Sequence, residues 1–204
     1  VTIINRLFLF ALLALWTAPC LAGKPVILVL GDSLSAGYGI EADAAWPALL
    51  QQRLVAQRRD YRVVNASVSG DTTRTALNRL PHALNNHRPR VVIVAVGAND
   101  GLRGLPFNEM RASLLSIVQQ SKEQGAQVVL VGVRLPTNYG KVFVDRFTGV
   151  FREVAEETDV PLVPYLLAGV AENGDLFQED QLHPTAEAQP LILDNVWAQL
   201  SSML

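Results

Sequence analysis

Three short segments of this chain, Val26–Leu30, Val91–Val96 and Val128–Val133, contain no polar side chain. A strand with one face in water alternates apolar and polar residues, whereas a strand covered on both faces does not. Continuous runs of this length therefore predict parallel strands sandwiched between helices. Tyr61–Asn65 and Val160–Val163 are shorter candidates of the same kind. The intervening stretches carry helical spacing. Trp46, Leu49, Leu50 and Leu54 share one face after a cap at Asp43, and Leu114, Ile117 and Val118 share another before a stop at Gly125. Phe143, Phe147, Val150, Phe151 and Val154 form a third face, and a last helix spans about Thr185 to Ser202. Pro81, which has no N–H to donate, is expected to split Thr75–Arg88 into two short helices. Strand and helix alternate about five times, as right-handed crossovers require for a doubly wound, mainly parallel five-stranded sheet in three α/β/α layers. Sites in such sheets form at the carboxyl ends of the strands.

The first 22 residues differ in kind from the rest. Arg6 precedes an unbroken apolar run from Leu7 to Trp16, and Cys20-Leu21-Ala22 places small residues three apart. This is the layout of a secretory signal peptide cleaved after Ala22, leaving one domain over 23–204. Ten apolar residues are too few to cross a bilayer, which takes roughly 18, so no stable membrane anchor is expected. Thr17-Ala18-Pro19 does not suit lipid attachment at Cys20. Cleavage would remove the only cysteine, leaving the chemistry to oxygen and nitrogen side chains. The net charge of −2, with no basic stripe, argues against nucleic acid as a partner.

Four segments carry candidate chemistry. The first strand runs into Gly31-Asp32-Ser33-Leu34-Ser35, which sets a serine hydroxyl at the mouth of the sheet, although the same placement suits a plain helix cap. The second strand ends in Asn65-Ala66-Ser67-Val68-Ser69-Gly70-Asp71. Gly70 there can turn its N–H toward an oxyanion or can simply serve a turn, and Asn65 suits a structural tie within the loop. The third ends in Gly97-Ala98-Asn99-Asp100-Gly101, where Asn99 offers either an amide donor or a turn residue. Near the C-terminus, Asp180 and His183 stand three apart, so the carboxylate can accept the Nδ1 proton and leave Nε2 as a base. His82 and His87 fall in a polar helical stretch and suit a solvated face.

Serine, glycine, asparagine and histidine blocks in this order resemble the SGNH hydrolase superfamily. Ala44–Leu50, Val64–Thr72, Asn99–Gly104 and Arg134–Gly140 look like its bacterial thioesterase I/lysophospholipase L1 branch, which includes arylesterases. The resemblance covers essentially the whole chain after the leader. It implies a flavodoxin-like hydrolase fold and a serine esterase acting without cofactor or metal on carboxylic esters and thioesters. By the same resemblance, Ser33, Asp180 and His183 are catalytic, and Ser33, Gly70 and Asn99 form the oxyanion hole. Leu102, Arg103 and Leu105, in a loop thought to switch over bound acyl chains, and Pro136 and Tyr139 are expected at the substrate. A small or lipid-like ester, a monomer, and a periplasmic or secreted location complete the expectation. Ala98 and Gln181 stand where this branch usually has glycine. A carbohydrate O-acetylesterase of the same superfamily and a non-catalytic periplasmic binding protein are the alternatives. No Gly-x-Ser-x-Gly segment supports a lipase-type α/β-hydrolase, and Gly37-Tyr38-Gly39 lies too far past the first strand for a dinucleotide turn.

Overall fold

Every residue of the first and third strands is buried, as their unbroken apolar runs require. The computed structural model describes residues 23–204; the leader and its cleavage site after Ala22 lie outside the described residues. The strands β1 (Val26–Gly31), β2 (Arg62–Asn65), β3 (Val91–Ala95), β4 (Gln127–Val131) and β5 (Leu162–Val163) form one sheet in the order β2-β1-β3-β4-β5. All four pairings are parallel. The helices are α1 (Ser33–Ala36), α2 (Trp46–Ala56), α3 (Thr73–His87), α4 (Ala98–Leu102), α5 (Phe107–Glu123), α6 (Lys141–Thr158) and α7 (Gln189–Leu200). Helices α3, α5 and α6 pack side by side on one face of the sheet, and α2 and α7 pack together on the other. The winding direction reverses between β1 and β3, so a crevice opens at their carboxyl ends. Among the described residues no helix is long and apolar enough to cross a membrane.

Three local expectations are corrected. Helix α2 begins at Trp46 behind Ala45, which makes no side-chain cap, and not at Asp43. The Trp46 N–H is instead satisfied by Gln189 Oε1 at 3.0 Å, a donor–acceptor pair 143 residues apart that no local pattern encodes. Pro81 does not split its helix: α3 is continuous from Thr73 to His87. Proline removes one N–H on the solvent side, while Ala76, Leu80, Ala83 and Leu84 are buried along the packed side and hold the helix through. The last helical stretch is composite, with a 3₁₀ turn at Ala186–Ala188, α7 itself, and a second 3₁₀ turn at Ser201–Met203.

Candidate active site

The nucleophile turn is built directly on the end of β1. Asp32 caps α1 by accepting the Leu34 N–H on Oδ1 at 3.1 Å, which makes Ser33 the first helical residue. A Cβ on Gly31 would lie 2.7 Å from Ser35 and 2.8 Å from Ser67 Oγ, so only glycine lets the β2 loop pack against this turn. Asp32 is buried, its Oδ2 makes no hydrogen bond, and the N–H groups of Gly97 and Ala98 face the carboxyl. Burial outweighs these dipoles and pushes the Asp32 carboxyl up to about 7.

The loop after β2 is held in place by side chains from four directions. Asn65 donates to the Ser35 carbonyl at 2.8 Å and accepts the Ser67 N–H at 3.1 Å, which gives it the structural role its position suggests. Arg79 reaches back from α3 to Asp71 Oδ2 at 2.6 Å and also donates to the Ala66 carbonyl. Arg103 donates to the Gly70 carbonyl at 2.9 Å, and Asn99 Nδ2 donates one hydrogen to the Asp71 carbonyl at 2.9 Å. Gly70 itself has φ +85, a left-handed conformation in which a side chain would be strained. Buried Asp100 accepts both the N–H and the hydroxyl of Thr73, at 2.8 and 2.6 Å, and thereby fixes α4 against the start of α3. Among the described residues the Ser33 and Gly70 N–H groups have no acceptor.

His183 lies opposite, on a turn that belongs to no strand or helix. Asp180 Oδ1 accepts the N–H groups of Leu182 and His183, both at 2.9 Å, while Oδ2 lies 2.6 Å from His183 Nδ1. The hydrogen bond from the His183 ring, helped by those two N–H groups, holds the Asp180 carboxyl down at about 2. His183 Nε2 points at Ser33 Oγ across 3.0 Å. The Tyr38 ring leans on the imidazole with centroids 4.4 Å apart. Gln181 takes φ 54, so the turn adopts a left-handed residue without the glycine that suits one. His82 faces solvent on α3 beside Asn86 and stands apart from this cluster.

These groups converge on a cavity of about 290 Å³, where Ser33, Ser69, Gly70, Asn99, Arg134 and His183 supply most of the polar part of the wall. Leu34, Leu102, Val133, Leu135, Pro136 and Leu167 supply most of the apolar part. Of the residues the resemblance sets at the substrate, Leu102 and Pro136 line the cavity, whereas Arg103, Leu105 and Tyr139 do not. Arg103 is spent on the Gly70 carbonyl, Tyr139 turns its hydroxyl to the Leu102 carbonyl at 3.3 Å and stacks on Phe143, and Leu105 is partly buried outside the cavity wall. The wall residues Leu34, in α1, and Val133, Leu135 and Leu167, in loops, have an apolar character that reads equally as core, so nothing in the sequence singles them out. The acidic residue of Gly31-Asp32-Ser33 was legible as part of a motif, but its burial was not. A larger groove of about 470 Å³ between α5 and α6 contains none of these residues.

A serine within hydrogen-bond reach of an imidazole, itself oriented by a carboxylate, at the switch point of a parallel sheet defines a serine hydrolase. Residues 29–190 match the GDSL-like Lipase/Acylhydrolase family, and the chain belongs to it. It is 42% identical over 200 residues to the esterase TesA of Pseudomonas aeruginosa, spanning 98% of this chain and 100% of that one. It is also 42% identical over 197 residues to thioesterase 1/protease 1/lysophospholipase L1 of Escherichia coli strain K12, spanning 97% and 92%. The crystal structure of the psychrotrophic esterase EstA from a Pseudoalteromonas species, inhibited by monoethylphosphonate, superposes with a TM-score of 0.84 at 38% identity, covering 88% of this chain and 98% of that one. The chain is accordingly an ester hydrolase.

Proposed function

We propose that this hydrolase cleaves carboxylic esters and thioesters of apolar acyl groups through an acyl-enzyme on Ser33. The observation that carries the reading is the alignment of Ser33 Oγ, His183 Nε2, His183 Nδ1 and Asp180 Oδ2, at 3.0 and 2.6 Å, on the wall of a mainly apolar cavity. Nε2 takes the hydroxyl proton as Oγ attacks the acyl carbon, and Asp180 stabilises the imidazolium that forms. The N–H groups of Ser33 and Gly70 and the second amide hydrogen of Asn99 receive the developing oxyanion. Collapse of the tetrahedral adduct expels the alkoxide or thiolate, which takes the proton from His183. Water then gives a proton to Nε2 and attacks the acyl-enzyme; the proton returns to Ser33 as the acid leaves. The cycle needs no metal.

Leu102, Leu135 and Leu167 favour an acyl chain over the acetyl group of a sugar ester, because each buried methylene contributes about 0.8 kcal/mol. A leader cleaved after Ala22 would export the enzyme to the periplasm, or beyond it, with Gly23 at its mature N-terminus, which the intact mass of exported protein checks. For the mechanism, Ser33→Ala is expected to stay folded and lose hydrolysis of a chromogenic ester to background. A fluorophosphonate is expected to add to the peptide containing Ser33 and to no other. Full activity in a folded S33A, or labelling elsewhere, would remove Ser33 from the mechanism.

A further inference from the structure

We infer that Gln178 is a positioning residue that sets His183 against the nucleophile by tying their two segments together; this rests on the proposed roles of Ser33 and His183. The two segments meet with little regular structure between them. Ser33 follows β1 directly, while His183 sits in a stretch whose only ladder contact is an isolated bridge between Phe177 and Pro184. The Gln178 carboxamide spans that junction, one hydrogen reaching the nucleophile side and the other the histidine side. Nε2 donates to the Tyr38 carbonyl at 2.8 Å, 140 residues away, and to the Pro184 carbonyl at 3.0 Å, next to His183. The main chain of the same residue holds the turn from below: its N–H donates to the His183 carbonyl at 2.8 Å, and its carbonyl accepts the Gln181 N–H at 2.9 Å.

The fit on the nucleophile side is close. Gly39 has φ +75, and a Cβ there would lie 2.1 Å from Gln178 Oε1 and 2.9 Å from its Cδ. The carboxamide thus lies flat against a backbone that only glycine leaves open. The adjoining Tyr38 presses its ring on the imidazole at 4.4 Å, so the turn that receives Gln178 also touches the base. A second attachment holds the far end of the loop: Gln189 donates to the Thr185 carbonyl at 3.2 Å while accepting the Trp46 N–H at 3.0 Å. Loss of Gln178 therefore loosens the imidazole without releasing the loop. Gln178 itself does not line the cavity.

The test compares Gln178→Ala, Gln178→Glu and Gly39→Ala with wild type on one chromogenic ester, with fluorophosphonate labelling rates and melting curves on each. Misplacement of a catalytic group by about 1 Å costs on the order of 100-fold. Gln178→Ala is expected to lower kcat and the labelling rate by about 10- to 100-fold with KM unchanged within about twofold. Gln178→Glu has the shape but presents an oxygen to two carbonyls, so it should do no better than alanine. Gly39→Ala leaves the glutamine and displaces it; its loss of kcat should shrink sharply in the Gln178→Ala background, since coupled sites are not additive. Unchanged kcat in Gln178→Ala, a loss confined to KM, or activity restored by glutamate would overturn the inference. If Gln178→Ala melts below the assay temperature, Gly39→Ala alone decides it, and normal kcat there counts against the clamp. A wild type that is neither active nor labelled at Ser33 would instead fail the proposed mechanism.

Discussion

Ser33 and His183 face each other across 3.0 Å, yet they are held by two different kinds of structure. The serine side grows out of the sheet: β1 is wholly buried, and Asp32, Asn65, Arg79, Asn99 and Asp100 bind the neighbouring loops into one network of hydrogen bonds. The histidine side is a turn held by its own residues, chiefly Asp180, and by side chains such as Gln178 and Gln189 that reach across to other segments. One half takes its precision from backbone pairing and burial, the other from a few side-chain hydrogen bonds. Substitutions on the serine side should thus be felt in both stability and rate, and those in the histidine turn mainly in rate.

The comparison can be broken at its strongest point first. Asn99→Ala removes one proposed oxyanion donor and is expected to lower kcat by roughly 10²–10³, with little change in KM. Steady-state kinetics decide this, and a change confined to KM would make Asn99 a substrate-binding group. The same variant also frees the Asp71 carbonyl, so a lower melting temperature should accompany the loss.

The next test isolates the buried carboxyl. Because burial raises the Asp32 carboxyl to about 7, the folded state holds a proton that the unfolded chain gives up near pH 4. This contribution is complete below pH 4 and is lost as pH rises through about 7, at most about 4 kcal/mol. Asp32→Asn keeps an oxygen for the Leu34 N–H and cannot ionise. Urea unfolding at pH 5 and pH 8 should show wild type losing stability that the variant keeps. Parallel curves would mean that Asp32 stays ionised at no cost. Asp180 has the opposite sign: its carboxyl is held at about 2, so its contribution is lost as pH falls from about 4 toward 2.

A smaller effect sharpens the line between scaffold and cavity. Leu102→Ala should lower kcat/KM for medium-chain esters by about 10-fold relative to acetyl esters, the equivalent of two buried methylenes. Leu105→Ala should affect both lengths alike, since Leu105 lies outside the cavity wall. Measured across a chain-length series, selectivity that follows Leu105 and not Leu102 would reverse this assignment. The smallest effect belongs to the histidine turn. Relief of the left-handed Gln181 in Gln181→Gly should stabilise by at most about 1 kcal/mol, raising the melting temperature by about 2–4 °C. A fall in melting temperature would show that the Gln181 side chain, which donates to the Gln178 carbonyl at 3.3 Å, outweighs its backbone strain.

Much of this molecule was legible in advance where the chemistry is local. All five strands fall within two residues of the segments their apolar runs mark, and the order of the four blocks places Ser33, Gly70, Asn99 and His183 around one crevice. Local patterns misled where a distant partner intervened. The start of α2 depends on Gln189, and α3 runs through Pro81 because its packed side outweighs one missing hydrogen bond. In the loops after β3 and β4, the resemblance implies substrate contact, while Arg103 and Tyr139 donate to backbone carbonyls.

The sequence by itself determined the parallel sheet and the Asp180–His183 pairing, because burial on both faces and a three-residue turn each act within a few positions of the chain. Only the tertiary structure decided which apolar residues enclose the cavity and how the histidine turn is registered against Ser33. The carboxamide of Gln178 reaches the Tyr38 carbonyl only once 140 residues of intervening chain have folded, and the burial that raises Asp32 exists only after the sheet, α1 and α4 have closed around it. Contacts of that range depend on three-dimensional distance, which a linear pattern does not carry.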